Sequence, residues 1–324
     1  SPTSKPTSMP PAMTSHEEFR NVLRSVISKA DNWPRKPDSR LKIETKPHGW
    51  LLPVLIQCES ACWGRWDHWF RTMEAGRVLD EPIPQIEFQP DAAGLARKMH
   101  EKSLDAIARG SWLGWDSWRI FDYYLDWLLY AFGSAQQPEP PHEVEEGAFA
   151  RLYQVFCLEA MIAWPADLFG DMLAENRHGR ANGFFPTPHS LVELMTKLTF
   201  GDGGDHRLQT VNDPCTGTGR MLLHASNHSY RLCGQDINAT VLKACAVNAY
   251  CFAPWMVRGF PFLKDNEAPE AVEAVAPVVM PEPVQPMMSL EALTPVILPT
   301  KPVPKPASKP RKQPEPAQLT LFDF

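Results

Sequence analysis

The chain has 324 residues, 44% of them hydrophobic, and a formal net charge of -6 at pH 7. That length and apolar content can bury a core of about two domains, while the acidic balance excludes a phosphate-seeking surface, so any grip on nucleic acid needs a local patch or a partner. Seven cysteines at 58, 62, 157, 215, 233, 245 and 251 follow no disulfide spacing, and no secretory apolar region or membrane-length run is present; a reducing, cytoplasmic setting is expected.

Residues 1–14, rich in Ser, Thr and Pro, read as a disordered leader. Ser15 and Glu18 form a capping box ahead of Phe19, Val22, Leu23, Val26 and Ile27, whose spacing predicts an amphipathic helix ended by Asn32-Trp33-Pro34. Trp63, Trp66 and Trp69, and again Trp112, Trp115 and Trp118, recur every three residues. Such stripes predict a bulky helical core rather than a base-stacking platform. Cys58, Cys62 and His68 do not add up to four ligands, so no metal site is expected. Further helices are expected over 91–109, stopped by Gly110, over 117–132, stopped by Gly133, and over 147–175, bent at Pro165.

The pattern then changes. Thr187 reads as a helix N-cap with Pro188 in the first turn, before Leu191, Leu194, Met195 and Leu198. Residues 208–212 and 230–236 read as short strands, with a tight Gly217–Gly219 turn and a helix start at 221–225 between them. A helix capped by Asn238 runs on to about 252. This is a βαβα half of a doubly wound sheet.

In Asp213-Pro-Cys-Thr-Gly-Thr-Gly219, glycines let the backbone turn sharply at a strand's carboxyl end and approach a ligand without a Cβ in the way. Asp213 would accept hydrogen bonds from the ammonium of a bound amino acid. Asp236 follows 23 residues later, near the offset of about 20 at which an acid reaches ribose hydroxyls. Ile237 could then pack on an adenine face, although a helix-start role for Asp236 is the competing reading. Phe184 and Phe185, expected to be exposed, would serve as walls of a nucleoside pocket.

Asp167-Leu-Phe-Gly-Asp-Met-Leu-Ala-Glu175, Gly183-Phe-Phe-Pro-Thr-Pro188, Asp213-Pro-Cys-Thr-Gly-Thr-Gly219 and Gly234-Gln-Asp-Ile237 together resemble, in order and spacing, the modification subunits of type I restriction systems and related adenine-N6 DNA methyltransferases. The resemblance covers about residues 165–252. It implies that Phe185, Thr187, Asp213, Gly217, Gly219, Asp236 and Ile237 line an S-adenosylmethionine pocket. The family's chemistry depends on a later Asn-Pro-Pro-Tyr/Phe loop that grips the flipped adenine. These 324 residues contain no such loop, and no third, fourth or fifth strand is expected from Arg258 onward. The resemblance therefore implies a cofactor-binding protein impaired in catalysis on its own, or one completed by a subunit that supplies catalysis or target recognition; a non-enzymatic interaction protein with a vestigial pocket is the remaining alternative.

Fifteen of the 33 prolines fall between Pro254 and Pro316, so residues 259–317 are expected to be a disordered linker. It carries basic residues at Lys301, Lys305, Lys309, Arg311 and Lys312, read mainly as solvated charge. After it, Gln318-Leu319-Thr320-Leu321-Phe322 resembles the pentapeptide with which bacterial polymerases and repair factors dock on the DNA sliding clamp, with Gln318, Leu319, Leu321 and Phe322 as the contact residues. A linker of this kind spans up to about 180 Å when extended and would hold the folded part near DNA, at the nucleoid.

The expected fold class is α/β. Residues 179–258 form a truncated, partial Rossmann-like S-adenosylmethionine-dependent methyltransferase fold, preceded by a mostly α-helical domain at 15–178 and followed by the disordered tail with its clamp-binding peptide at 318–324.

Overall fold

A computed structural model describes residues 16–30, 35–38, 40, 43–89, 94–109, 117–175, 184–201 and 203–263, and the backbone of 319–320. Two compact units divide the chain: Ser1–Leu263 with Ala317–Phe324, and Lys264–Pro316. The second unit, with the linker and its basic residues, lies outside the described residues, as do Ser15, Trp33, Gly110, Trp112, Trp115 and Gly183. What is described is mostly helical, with a small parallel sheet of two strands. Among the described residues no helix is long and apolar enough to cross a membrane.

Helix α1 (His16–Ser28) turns Ile27 into the core and lays Phe19 and Leu23 against it, while Val22 and Val26 stay exposed. The apolar stripe is thus narrower than its spacing predicts. Helices α2 (Leu52–Cys62) and α3 (Arg65–Ala75) are separated by Gly64, so the first tryptophan trio straddles a break instead of lining one helix. Each indole still finds a remote backbone acceptor. Trp63 donates to the Ile162 carbonyl at 2.8 Å, Trp66 to Tyr250 at 2.9 Å and Trp69 to Arg258 at 2.6 Å.

Arg65, at the start of α3, is fully buried, and its guanidinium donates to the carbonyls of Pro84 (2.9 Å) and Phe252 (2.6 Å), to Ser226 Oγ (2.7 Å) and to Asn227 Oδ1. The buried Glu59 carboxylate caps the same turn, accepting from the amides of Arg65 (3.1 Å) and Trp66 (2.8 Å). Burial pushes Glu59 up to about 7 and Arg65 down to about 9, because neither charge is solvated there. His68 engages both ring nitrogens, with Glu81 Oε1 at 2.9 Å and Tyr230 Oη at 2.7 Å.

Helices α4 (Gly94–Ala108) and α5 (Trp118–Phe132) follow, the latter ended by Gly133 in the left-handed region. The apolar run read as one helix over 147–175 is three: α6 (Ala148–Val155), α7 (Leu158–Ala163) and α8 (Leu168–Glu175). Phe156 and Cys157 are extended at the first break; Trp164 is extended at the second, where the following Pro165 disfavours helical backbone.

His100 of α4 is buried against Tyr124 and Phe169, with Nδ1 2.8 Å from Tyr124 Oη. Burial alone holds its pKa down at about 3. The unfolded chain therefore takes up a proton below about pH 6.5 that the folded chain refuses, and this group's contribution to stability falls as pH drops from 6.5 towards 3. In His100→Leu that contribution is absent. Between pH 6.5 and 5 the stability of the variant relative to the parent is expected to improve by about 2 kcal/mol in urea unfolding; a constant difference would contradict a neutral buried imidazole.

Helix α9 (His189–Phe200) begins one residue later than the capping reading implies. Pro188 itself occupies the N-cap position, and Thr187 lies outside the helix with its carbonyl engaged elsewhere. Strands β1 (Thr210–Asp213) and β2 (Arg231–Asp236) pair in parallel, Thr210 opposite Arg231 and Asp213 opposite Gly234. Helix α10 (Arg220–Ala225) makes the crossover between them. Asn238 caps α11 (Ala239–Phe252), its side chain accepting from Thr240 N at 3.0 Å and Val241 N at 3.4 Å. From Thr240 to Phe252 every residue of α11 except Lys243 is buried, as expected of a helix surrounded by other elements. Lys243 pairs with Asp122 at 3.0 Å and Asp126 at 2.7 Å on α5. After α12 (Pro254–Val257) the chain makes a 3-10 turn at Pro261–Leu263.

A short third strand, β3 (Leu319–Thr320), lies antiparallel on the outer edge of β2, with Gln235 opposite Thr320 and Asp236 opposite Leu319. The sheet order is β1-β2-β3. Gln318, Leu321 and Phe322 lie outside the described residues.

Candidate cofactor-binding site

The site is assembled where β1 and β2 end. After Asp213 the chain folds back as a tight turn, with the Thr216 amide donating to the Gln235 carbonyl at 2.9 Å and the Gly219 amide to the Thr216 carbonyl at 2.8 Å. Gly217 and Gly219 hold φ of 55° and 86°. At Gly219 the constraint is double, because a Cβ there would lie 2.5 Å from Cys245 Sγ on α11. The glycine lets the turn sit directly on that helix.

Asp236 holds this turn to β2. Its Oδ2 accepts from the Gly217 amide at 2.9 Å and its Oδ1 from the Asn238 amide at 2.9 Å. Asp213 Oδ1 accepts from the Cys215 amide at 3.1 Å. The Asp213 carboxyl is raised above the usual carboxylate range, first by burial and then by the neighbouring Asp236, the Cys215 amide working the other way. The Asp236 carboxylate thus lies close enough to oppose the ionisation of Asp213. Such a place favours a cationic group or hydroxyl donors arriving from outside.

A cavity of ≈ 150 Å³ opens over the turn, walled by the 184–187 segment, the turn and Asp236. Of the residues singled out from sequence, Phe185, Thr187, Asp213, Gly217 and Asp236 are brought together in its lining. Gly219 lies behind the turn against Cys245. Ile237 is 87% exposed and does not contribute to the wall. The two phenylalanines differ: Phe185 is 77% exposed, but Phe184, expected to be exposed, is buried beneath Gly217, whose missing Cβ would stand 3.1 Å from the Phe184 ring. A second cavity of ≈ 510 Å³ continues from the first along β1 and α9, sharing Thr187, Asp213, Cys215 and Met221.

Behind the turn is a buried polar network that local sequence patterns do not reveal. Asp167, 2% exposed, accepts at Oδ2 from Thr218 Oγ1 (2.7 Å) and Arg220 Nε (3.0 Å), and at Oδ1 from Asn248 Nδ2 (2.9 Å) and the Gly170 amide (3.0 Å). Asn248 Nδ2 also donates to the Thr218 carbonyl at 2.9 Å. Arg220 reaches on to the Thr187 carbonyl at 3.0 Å and to Asp171 Oδ1 at 2.6 Å. One guanidinium therefore ties α8, the turn and the phenylalanine segment together. A polar Asn248 inside an apolar helical run was the available signal for this network. Among the described residues, no group of three or more His, Cys, Asp or Glu is placed to hold a metal ion.

Neither the curated proteins nor the solved structures give a significant match to this chain. Residues 160–252, a segment that holds α8, both parallel strands, the glycine turn and the Asp167 network, match the family model of N-6 DNA methylases.

Proposed function

We propose that the chain is an adenine-N6 DNA methyltransferase-like protein with a partial Rossmann-like donor fold. It binds S-adenosylmethionine at the β1–β2 site, docks on the bacterial DNA sliding clamp through its C-terminal pentapeptide, and does not transfer methyl groups unaided. The observation that carries the cofactor reading is the convergence of Phe185, Thr187, Asp213, Gly217 and Asp236 on one cavity within the matched segment. The donor set fits the ligand chemically. Asp213 offers an acceptor to an ammonium group, Asp236 an acceptor to ribose hydroxyls, and the glycine turn gives close approach to backbone amides. A cavity of ≈ 150 Å³ is smaller than the roughly 300–1,000 Å³ of an enclosing ligand pocket. The cofactor would therefore lie partly open, with Phe185 the aromatic side chain available to its adenine.

Calorimetry with S-adenosylmethionine tests this reading without assuming catalysis. Phe185 is the cleanest variant site because its exposed ring does not hold the fold together. Phe185→Ala should weaken binding about fivefold or more, and Asp236→Ala by about tenfold to a hundredfold through lost charge-assisted hydrogen bonds. The turn anchored by Asp236 calls for a parallel melting curve. Absence of heat with the parent protein would leave an interaction protein with a vestigial pocket. For the tail, Phe322→Ala should abolish capture by the purified clamp while leaving cofactor binding unchanged.

One observation favours a second reading, in which a partner completes an active methyltransferase. Among the described residues β1 is paired on one side only, and beside it Leu191, Leu194, Met195 and Leu198 of α9 are exposed. Parallel sheets are ordinarily covered on both faces and extended beyond two strands. Methyl incorporation into DNA only when co-expressed neighbours are present would establish that reading.

A further inference from the structure

The outer edge of β2 is covered by this chain's own C-terminal strand at the two residues that end β2, the second of which, Asp236, lines the cavity. Gln235 faces Thr320 and Asp236 faces Leu319. The backbone of Asp236 thus carries the tail while its carboxylate carries the Gly217 turn. The Gln235 carbonyl is engaged by the Thr216 amide on the β1 side, so the strand is occupied along both edges at this point. An edge left open there would be a template for pairing with another chain.

From this arrangement we infer that the C-terminal strand is a reversible latch on β2, and that the segment read as the clamp-docking peptide is withheld from an outside acceptor while it is latched. The same backbone cannot add to the β2 edge and lie extended in a partner's groove at once. The withholding half of the inference rests on the clamp-docking reading; the strand pairing itself does not. Two paired residues make a weak strand, and pairing positions as far apart in sequence as Asp236 and Leu319 costs closure entropy. A pairing that short is one a partner can open. Opening would bare the edge next to Asp236, linking tail engagement to the cavity's rim.

Two measurements on the full chain decide the matter. Amide hydrogen exchange at Asp236 should speed up about fivefold when Leu319→Pro and Thr320→Pro are introduced together, since proline removes the donor and fixes φ. Unchanged rates overturn the latch. Separately, a synthetic peptide of residues 314–324 should bind the purified clamp about threefold or more tightly than the full chain, because only the unlatched fraction of the chain is competent. Equal affinities overturn the withholding. If neither peptide nor chain binds the clamp, the docking reading fails and exchange alone judges the latch.

Discussion

Asp167→Ala is expected to lower the unfolding free energy by about 3–5 kcal/mol, the range for removing one partner of a buried charge pair. The carboxylate is 2% exposed and serves four donors from three different parts of the chain. Without it the Arg220 guanidinium keeps Asp171 and the Thr187 carbonyl but loses its buried counter-charge, and the Asn248 amide keeps only the Thr218 carbonyl. Asn248→Ala removes a neutral member of the same network and should cost less, about 1–3 kcal/mol. Denaturant unfolding of the two variants checks both values. A loss below about 1 kcal/mol for Asp167→Ala would mean that solvent reaches the network and screens it.

Gly219→Ala should destabilise by about 2–4 kcal/mol, combining left-handed backbone for an L-residue with overpacking against α11. The contact is specific, since the added carbon would fall 2.5 Å from Cys245 Sγ, with φ at 86°. A double-mutant cycle separates the two causes. Cys245→Ala removes the sulfur but leaves the backbone strain, so the pair should be less destabilised than the sum of the singles by about 1 kcal/mol or more. Strict additivity would remove the steric half of the explanation. Because the turn forms the floor of the cavity, Gly219→Ala should also weaken the proposed binding of S-adenosylmethionine in the calorimeter.

Much of the framework could be read from local chemistry. The repeats of α1 and α5, the Gly133 stop, the Asn238 cap and the order strand, turn, helix, strand, helix all depend on residues a few positions apart, where periodicity and capping operate. What escaped was set by distance along the chain. Nothing near Asp167 announces Thr218, Arg220 or Asn248, which lie 51 to 81 positions away. The run 147–175 shows a continuous apolar pattern, yet Phe156 and Cys157 break it without a proline or glycine. Phe184 and Phe185 are adjacent and identical in type, yet the first packs into the core beneath Gly217 and the second stays exposed. Thr187 had the chemistry of a cap, but its carbonyl was recruited by Arg220 and the helix opens on Pro188.

The four-way grip of Arg65 has a consequence for dissecting the protein. Through it and the neighbouring indoles, α3 is fastened to the backbone at Phe252, Tyr250 and Arg258, on and just beyond α11. A fragment beginning after residue 178 would strip α11 of that cladding and leave a greasy rod in water. Such a piece should be recovered from inclusion bodies, whereas the intact polypeptide should melt in a single cooperative step, with no early plateau for its first half.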